Sequence, residues 1–170
     1  ALKGDDESLK KALKGAEDEE TVDALFWVAH TWGMVIQADL DDLEAIATRS
    51  TVEILMGHVR SLRPDIEYGL PVIFFGASQA MQGAGLGGDL EAAKADFEEA
   101  MAMNDGSFLL ATFLYGRYYC VATNDAQCFK QAMERVLEGD PDGLPERRLV
   151  NTLAQQWAKT WMEIADEQLF

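Results

Sequence analysis

Apolar residues recur along this chain at intervals of three and four, the spacing of a helix with one buried face. The clearest ladders are Val52, Met56, Val59, Leu62, then Ala93, Phe97, Ala100, Met103, then Phe129, Met133, Val136. The one strand-like run, Val72-Ile73-Phe74-Phe75, sits inside a segment with Leu70, Phe74, Ala77 and Met81 at helical spacing, so it too reads as helix. The pattern predicts helices over 7–14, 21–38, 42–62, 65–81, 89–103, 108–122, 126–137 and 145–166. Asp89, with Glu91 in the following turn, and Asp125 before Ala126 are placed as N-caps. Pro145 suits a first helical turn, where its missing N–H costs nothing, and Asp142-Gly143 makes the turn before it. The last helix is long and carries Leu149, Leu153, Trp157, Trp161 and Ile164 on one apolar face, as expected of a terminal helix that caps a solenoid.

A longer period lies over these helices. An aromatic residue followed by glycine occurs at Trp32-Gly33, Phe75-Gly76 and Tyr115-Gly116, at intervals of roughly forty residues. Each pair lies in one helix and is followed, after a polar turn, by a second helix bearing a small or apolar ladder. Glycine lets the first helix of such a pair approach the second closely, and the aromatic fills space between pairs. The pattern is that of stacked helical hairpins of tetratricopeptide type, which cannot bury their apolar faces singly. The predicted fold is therefore all-α: a single domain over 1–170 of tetratricopeptide-like hairpin repeats, an α-solenoid, closed by a C-terminal capping helix. The turns are irregular, long around 37–50 and at 82–89 and tight at 123–125, so a non-repeating helical bundle is the alternative.

The chain has 170 residues, 30 acids against 14 bases, and a formal charge of −16. Such a surface repels nucleic acid and anionic membranes, whose phosphates require Lys and Arg. Acids cluster at Asp5-Asp6-Glu7, at Glu17-Asp18-Glu19-Glu20 and between Asp39 and Glu44. They read as a solubilising surface or as a docking face for a basic partner. No stretch of eighteen apolar residues is present. The chain begins at Ala1 without methionine, signal peptide or lipoprotein cysteine, as expected if a leader has been removed or the polypeptide continues upstream.

Candidate chemistry is sparse. The two histidines, His30 and His58, form no metal-ligand spacing, and His58 is expected to be solvated. Ser78 lacks a nucleophile-elbow motif. Glu98-Glu99 and Asp41-Asp42 are adjacent in sequence and so point to different azimuths, which suits solvated faces rather than a general acid and base. Gly83-Ala84-Gly85-Leu86-Gly87-Gly88 superficially resembles a phosphate-cradling loop, but no strand precedes it and no lysine follows in place. No catalytic residue, metal site or cofactor is predicted, and the reading is of a binding protein rather than an enzyme.

The aromatics carry more of the functional reading. Most rings on the first helices of the hairpins belong to the core. The remainder would line a groove or tunnel for a ligand or partner: Trp27, Trp32, Phe75, Tyr115 and Tyr119, with Arg117 beside them. Asn151 and Gln155 stand one turn apart on the last helix and join this set, or serve as a polar network of the cap. The two cysteines, Cys120 and Cys128, are equidistant from Asn124 across the tightest turn. In a helical hairpin such positions face each other when their azimuths agree, giving a disulfide; otherwise they are two buried thiols in an apolar seam.

Several segments together resemble one family. They are Ala24-Leu25-Phe26-Trp27-Val28-Ala29 with Trp32-Gly33, Ala93-Lys94-Ala95-Asp96-Phe97-Glu98-Glu99-Ala100, and Leu114-Tyr115-Gly116-Arg117-Tyr118-Tyr119. The most specific are Arg148-Leu149-Val150-Asn151-Thr152-Leu153-Ala154-Gln155 and the ending Asp166-Glu167-Gln168-Leu169-Phe170. The chain resembles the TatT family, the T-components of tripartite ATP-independent periplasmic (TRAP) transporters, from about Leu9 to Phe170. The resemblance implies a trimeric, tetratricopeptide-like envelope lipoprotein that engages the transporter's periplasmic solute-binding protein and carries a small or hydrophobic ligand. It implies the periplasm, where a Cys120–Cys128 bond would persist. The signal, lipid-bearing cysteine and first helices of the family are not in this stretch, so membrane attachment is expected only through an anchor outside it. Gln156-Trp157 stands where the family tends to have arginines. The alternative is a generic tetratricopeptide scaffold for another envelope protein.

Overall fold

The computed structural model describes residues 6–39, 41–82 and 88–168, with side chains as far as 165. The glycine-rich stretch from Gly83 and the Leu169-Phe170 ending singled out above lie outside the described residues, apart from Gly88. Every regular element among the described residues is helical. The chain forms two compact units, residues 1–66 and 67–170.

The first unit holds α1 (Asp6–Leu13), α2 (Glu19–Ala38), α3 (Leu43–Ile46) and α4 (Arg49–Leu62). Asp18 caps α2 by accepting the Thr21 N–H at 2.9 Å. Helix α4 packs on α2 and α1. Val52, Leu55, Met56 and Val59 form its buried stripe, facing a core with Val22, Phe26, Ala29 and Leu13. The single helix predicted over 42–62 is in fact two. Thr48 interrupts it with ψ near 0°, and its hydroxyl donates to the Ala45 carbonyl at 2.6 Å. A hydroxyl that bonds nearby backbone offers the chain an alternative to the helical ladder. His58 is also not solvated: it is half-buried, with Nε2 2.8 Å from the Ala16 carbonyl oxygen.

The second unit contains α5 (Ile66–Gln82, all but its first residue), α6 (Leu90–Ala102), α7 (Leu109–Leu114), α8 (Ala126–Glu138) and α9 (Arg148–Gln168). Helix α7 runs on as a π-helical segment, Tyr115–Cys120, and two short 3-10 turns, Pro141–Gly143 and Pro145–Arg147, precede α9. The start of α5 is not regular helix. Glu67, Tyr68 and Gly69 are all left-handed, at φ 50°, 64° and 87°. For a non-glycine residue this conformation costs about 1–2 kcal/mol, and here partners offset it. Asn104 donates to the Tyr68 carbonyl at 3.1 Å, Arg147 pairs with Glu67 and lies 4.6 Å over the Tyr68 ring, and the Tyr68 hydroxyl donates to Glu146 at 2.6 Å. A Cβ on Gly69 would stand 3.1 Å from Met103 Sδ.

Two stretches in this unit repeat forty residues apart. Pro71, Val72, Ile73, Gly76 and Ala80 are buried in α5; Ala111, Thr112, Phe113, Gly116 and Cys120 are buried in the same register along α7 and its π-helical extension. Each glycine meets its following helix. A Cβ at Gly76 would lie 3.1 Å from the Phe97 ring and 3.3 Å from the Ala93 carbonyl oxygen; one at Gly116 would overlap Met133 and lie 2.9 Å from Ala132 Cβ. The partner helices bury residues at matching spacing, Ala93, Asp96, Phe97, Ala100 in α6 and Phe129, Ala132, Met133, Val136 in α8, with Val52, Leu55, Met56, Val59 of the first unit showing the same interval.

Helix α9 buries its small residues most completely, while of its large apolar face Leu153, Trp161 and Ile164 are half-buried and Trp161 packs on the core. Asn151, Ala154, Ala158 and Ala165 are buried, whereas Leu149 is 73% and Trp157 43% exposed. The small side chains let α9 lie close on α7 and α8, beside Phe113, Met133 and Val136.

Candidate functional site

The predicted site residues separate into groups. In the first unit, Trp32 is half-buried and its indole N–H donates to the Thr48 hydroxyl at 2.9 Å, tying α2 to the break before α4. Trp27 is 49% exposed, edge-on to Phe26 at 5.1 Å. It belongs to a continuous outer face of α2: Ala24, Trp27, Val28, Thr31, Met34, Val35 and Ala38 are all exposed, at helical spacing, and none is charged. Helix α2 is thus apolar on both its buried and its outer side.

In the second unit, Tyr115 and Tyr119 come together. Their rings stack at 5.1 Å and 14° along the π-helical segment. The segment ends at Cys120, which is bonded to Cys128 in the first turn of α8 with Cα atoms 5.5 Å apart. The expected disulfide is therefore present and the two-thiol alternative is not. Asp125 caps α8 by accepting the Cys128 N–H at 2.8 Å, which sets the azimuth of Cys128. The Tyr115 hydroxyl lies 3.5 Å from Cys128 Sγ and donates to it. Burial, with lesser contributions from Tyr119, Glu98 and Asp125, holds the Tyr115 hydroxyl above the ordinary tyrosine pKa.

Around this pair is a groove of about 420 Å³, lined by Lys94 of α6, by Tyr115 and Tyr119, and by Gln127, Gln131 and Arg135 of α8. A larger hollow of about 670 Å³ by α8 and the end of α9 holds none of the predicted residues and is lined by Phe129, Lys130, Met162 and Ala165 among others. Gln127 and Gln131 line both, but only the smaller groove adds Lys94, Arg135 and the two predicted tyrosines, and it is the better candidate. Lys94, Gln127, Gln131 and Arg135 were not singled out from the sequence. A trace of them was there: Gln127, Gln131 and Arg135 follow at intervals of four on one helix face.

The remaining residues lie elsewhere. Phe75 is half-buried against Phe74 at 5.2 Å. The Arg117 guanidinium sits 4.1 Å over the Trp161 ring, linking the π-helical segment to α9. Asn151 is fully buried; it accepts the Leu109 N–H at 3.0 Å and donates to the Ser107 and Pro141 carbonyls. Gln155 donates to the carbonyls of Val136, Leu137 and Gly139, at the last turn of α8. Both amides satisfy helix-end groups that otherwise have no intrahelical partner.

Among the described residues no helix is long and apolar enough to cross a membrane, and no cluster of three or more His, Cys, Asp or Glu is placed to hold a metal ion. The whole chain, residues 1–170, matches the family model described as TRAP transporter T-component. Comparison with curated proteins gave no match.

Proposed function

The chain belongs to the TRAP transporter T-component family, an envelope-associated transporter component and not a known enzyme family, and from that premise we propose that it is a non-enzymatic periplasmic protein that docks the transporter's solute-binding protein. On this reading each unit is built of tetratricopeptide-like hairpins, with α9 as the capping helix. The glycine contacts of Gly76 and Gly116 and the shared burial register support that arrangement. The full-length protein is lipid-anchored and acts as a trimer.

The observation that carries the docking reading is the uncharged outer face of α2, with Trp27, Val28, Met34 and Val35 between 48% and 61% exposed in a chain of net charge −16. Contiguous apolar surface of this kind marks interaction sites. The face receives the solute-binding protein. A small ligand is held separately, in the groove at Tyr115 and Tyr119. Immobilised protein is expected to capture the TRAP solute-binding protein from periplasmic extract, and the Val35→Asp variant to capture it poorly. Equal capture by both would remove α2 from the interface, and absence of that protein from the eluate would overturn the docking reading.

A further inference from the structure

The groove at Tyr115 and Tyr119 differs in character from an apolar tunnel, and its lining defines a ligand. We propose that it binds a small, flat, singly charged anion of the aromatic carboxylate class. This rests on reading the groove as a ligand site.

Two cations reach it from two helices, Lys94 on α6 and Arg135 on α8. They are not equivalent. Lys94 has Glu98 one turn away at 3.9 Å. Arg135 has no carboxylate within ion-pair distance among the described residues, so its guanidinium is the cation available to a ligand. A guanidinium offers a planar fork that matches a carboxylate with two parallel hydrogen bonds. The one carboxylate in the lining, Asp125, is engaged by the Cys128 N–H. With Glu98 and Asp125 nearby, a ligand carrying several negative charges meets repulsion that a monoanion largely avoids.

The body of the ligand follows from the tyrosines. Their stacked rings present an aromatic surface, and ring pairs of this kind accept a further flat group by offset or edge contact. Gln127 and Gln131 add amides on the same side as Arg135. A wholly apolar ligand would leave these amides and the guanidinium desolvated without partners. About 420 Å³ suits a small molecule. Both tyrosines stand on the π-helical segment, whose end the Cys120–Cys128 bond ties to α8.

The test uses benzoate, its uncharged counterpart benzamide, and inorganic phosphate, titrated into the intact chain and followed through tyrosine NMR signals. Benzoate is expected to shift the Tyr115 and Tyr119 signals saturably, and benzamide and phosphate to bind at least about tenfold more weakly. Arg135→Gln is expected to weaken benzoate about tenfold, with Lys159→Gln on α9 unchanged. Benzamide binding as well as benzoate overturns the anionic assignment; phosphate binding as well overturns the flat body; no saturable benzoate binding overturns the site. If Arg135→Gln fails to fold, the benzamide comparison on the parent decides. Capture of the solute-binding protein is read separately, so failure here leaves the docking reading intact.

Discussion

Asn151 shows how much one side chain fixes in this fold. It is fully buried and serves the N–H at the start of α7 together with the carbonyls of Ser107 and Pro141. Asn151→Leu keeps the volume and removes all three bonds. A buried backbone group left unpaired costs about 1–3 kcal/mol, so denaturant unfolding of this variant is expected to show at least that loss. A midpoint equal to the parent's would mean that water replaces the amide. Tyr115 makes a prediction about pH. Its folded pKa is raised, mainly by burial, so the neutral phenol is the form that folding favours. The associated stability is fully present below the unfolded value of about 10 and is lost as pH rises through the folded one. Tyr115→Phe is expected to flatten that decline between pH 10 and the folded pKa, as followed by thermal melts; an unchanged decline would assign it to other groups.

At the scale of elements, the hairpin contacts and the disulfide are the features to break. Gly116→Leu would drive a side chain into Met133 and Ala132, and overpacking of this kind costs roughly 1–3 kcal/mol or more. Gly76→Leu is expected to do the same against Phe97 and Ala93. Melting curves that match the parent for both variants would contradict the helix-pair assignment. Reduction of Cys120–Cys128, which closes a loop with a sequence separation of 8, is expected to lower stability by roughly 2–3 kcal/mol on the chain-entropy model. Thiol labelling of unreduced protein should find neither cysteine reactive.

These elements also show what sequence reveals here and what it hides. The helices were legible because spacing of three and four records burial directly, and two of the three aromatic-glycine pairs, at Gly76 and Gly116, marked close contacts with the following helix. The disulfide was legible as an option, since symmetry about Asn124 places the cysteines but not their azimuths; the Asp125 cap decides that. The break at Thr48 and the left-handed turn at Glu67 were not legible, because each depends on distant partners, Trp32 for one and Arg147 with Asn104 for the other. The π-helical segment left no pattern of its own. On α9 the apolar face was legible only in part: Leu153, Trp161 and Ile164 are half-buried, but close approach favoured Ala154 and Ala158 over Leu149 and Trp157. Of the eight proposed site residues the structure brings Tyr115 and Tyr119 together at a groove, and their polar companions on α6 and α8 follow no motif.

At the scale of the molecule, a net charge of −16 coexists with one long helix that has no charge on its outer face beyond its first turns. Solubility alone does not require such a face, and a partner that covers it does. The most direct measurement is calorimetric titration of the purified chain with the solute-binding protein of its own TRAP transporter. A saturable stoichiometric complex is predicted, weakened about tenfold or more by Trp27→Asp or Val35→Asp and unaffected by Leu149→Asp on α9. Loss of self-association in the α2 variants with binding intact would assign the face to contacts between copies. No complex with the parent protein, at concentrations where both are folded, would contradict the account.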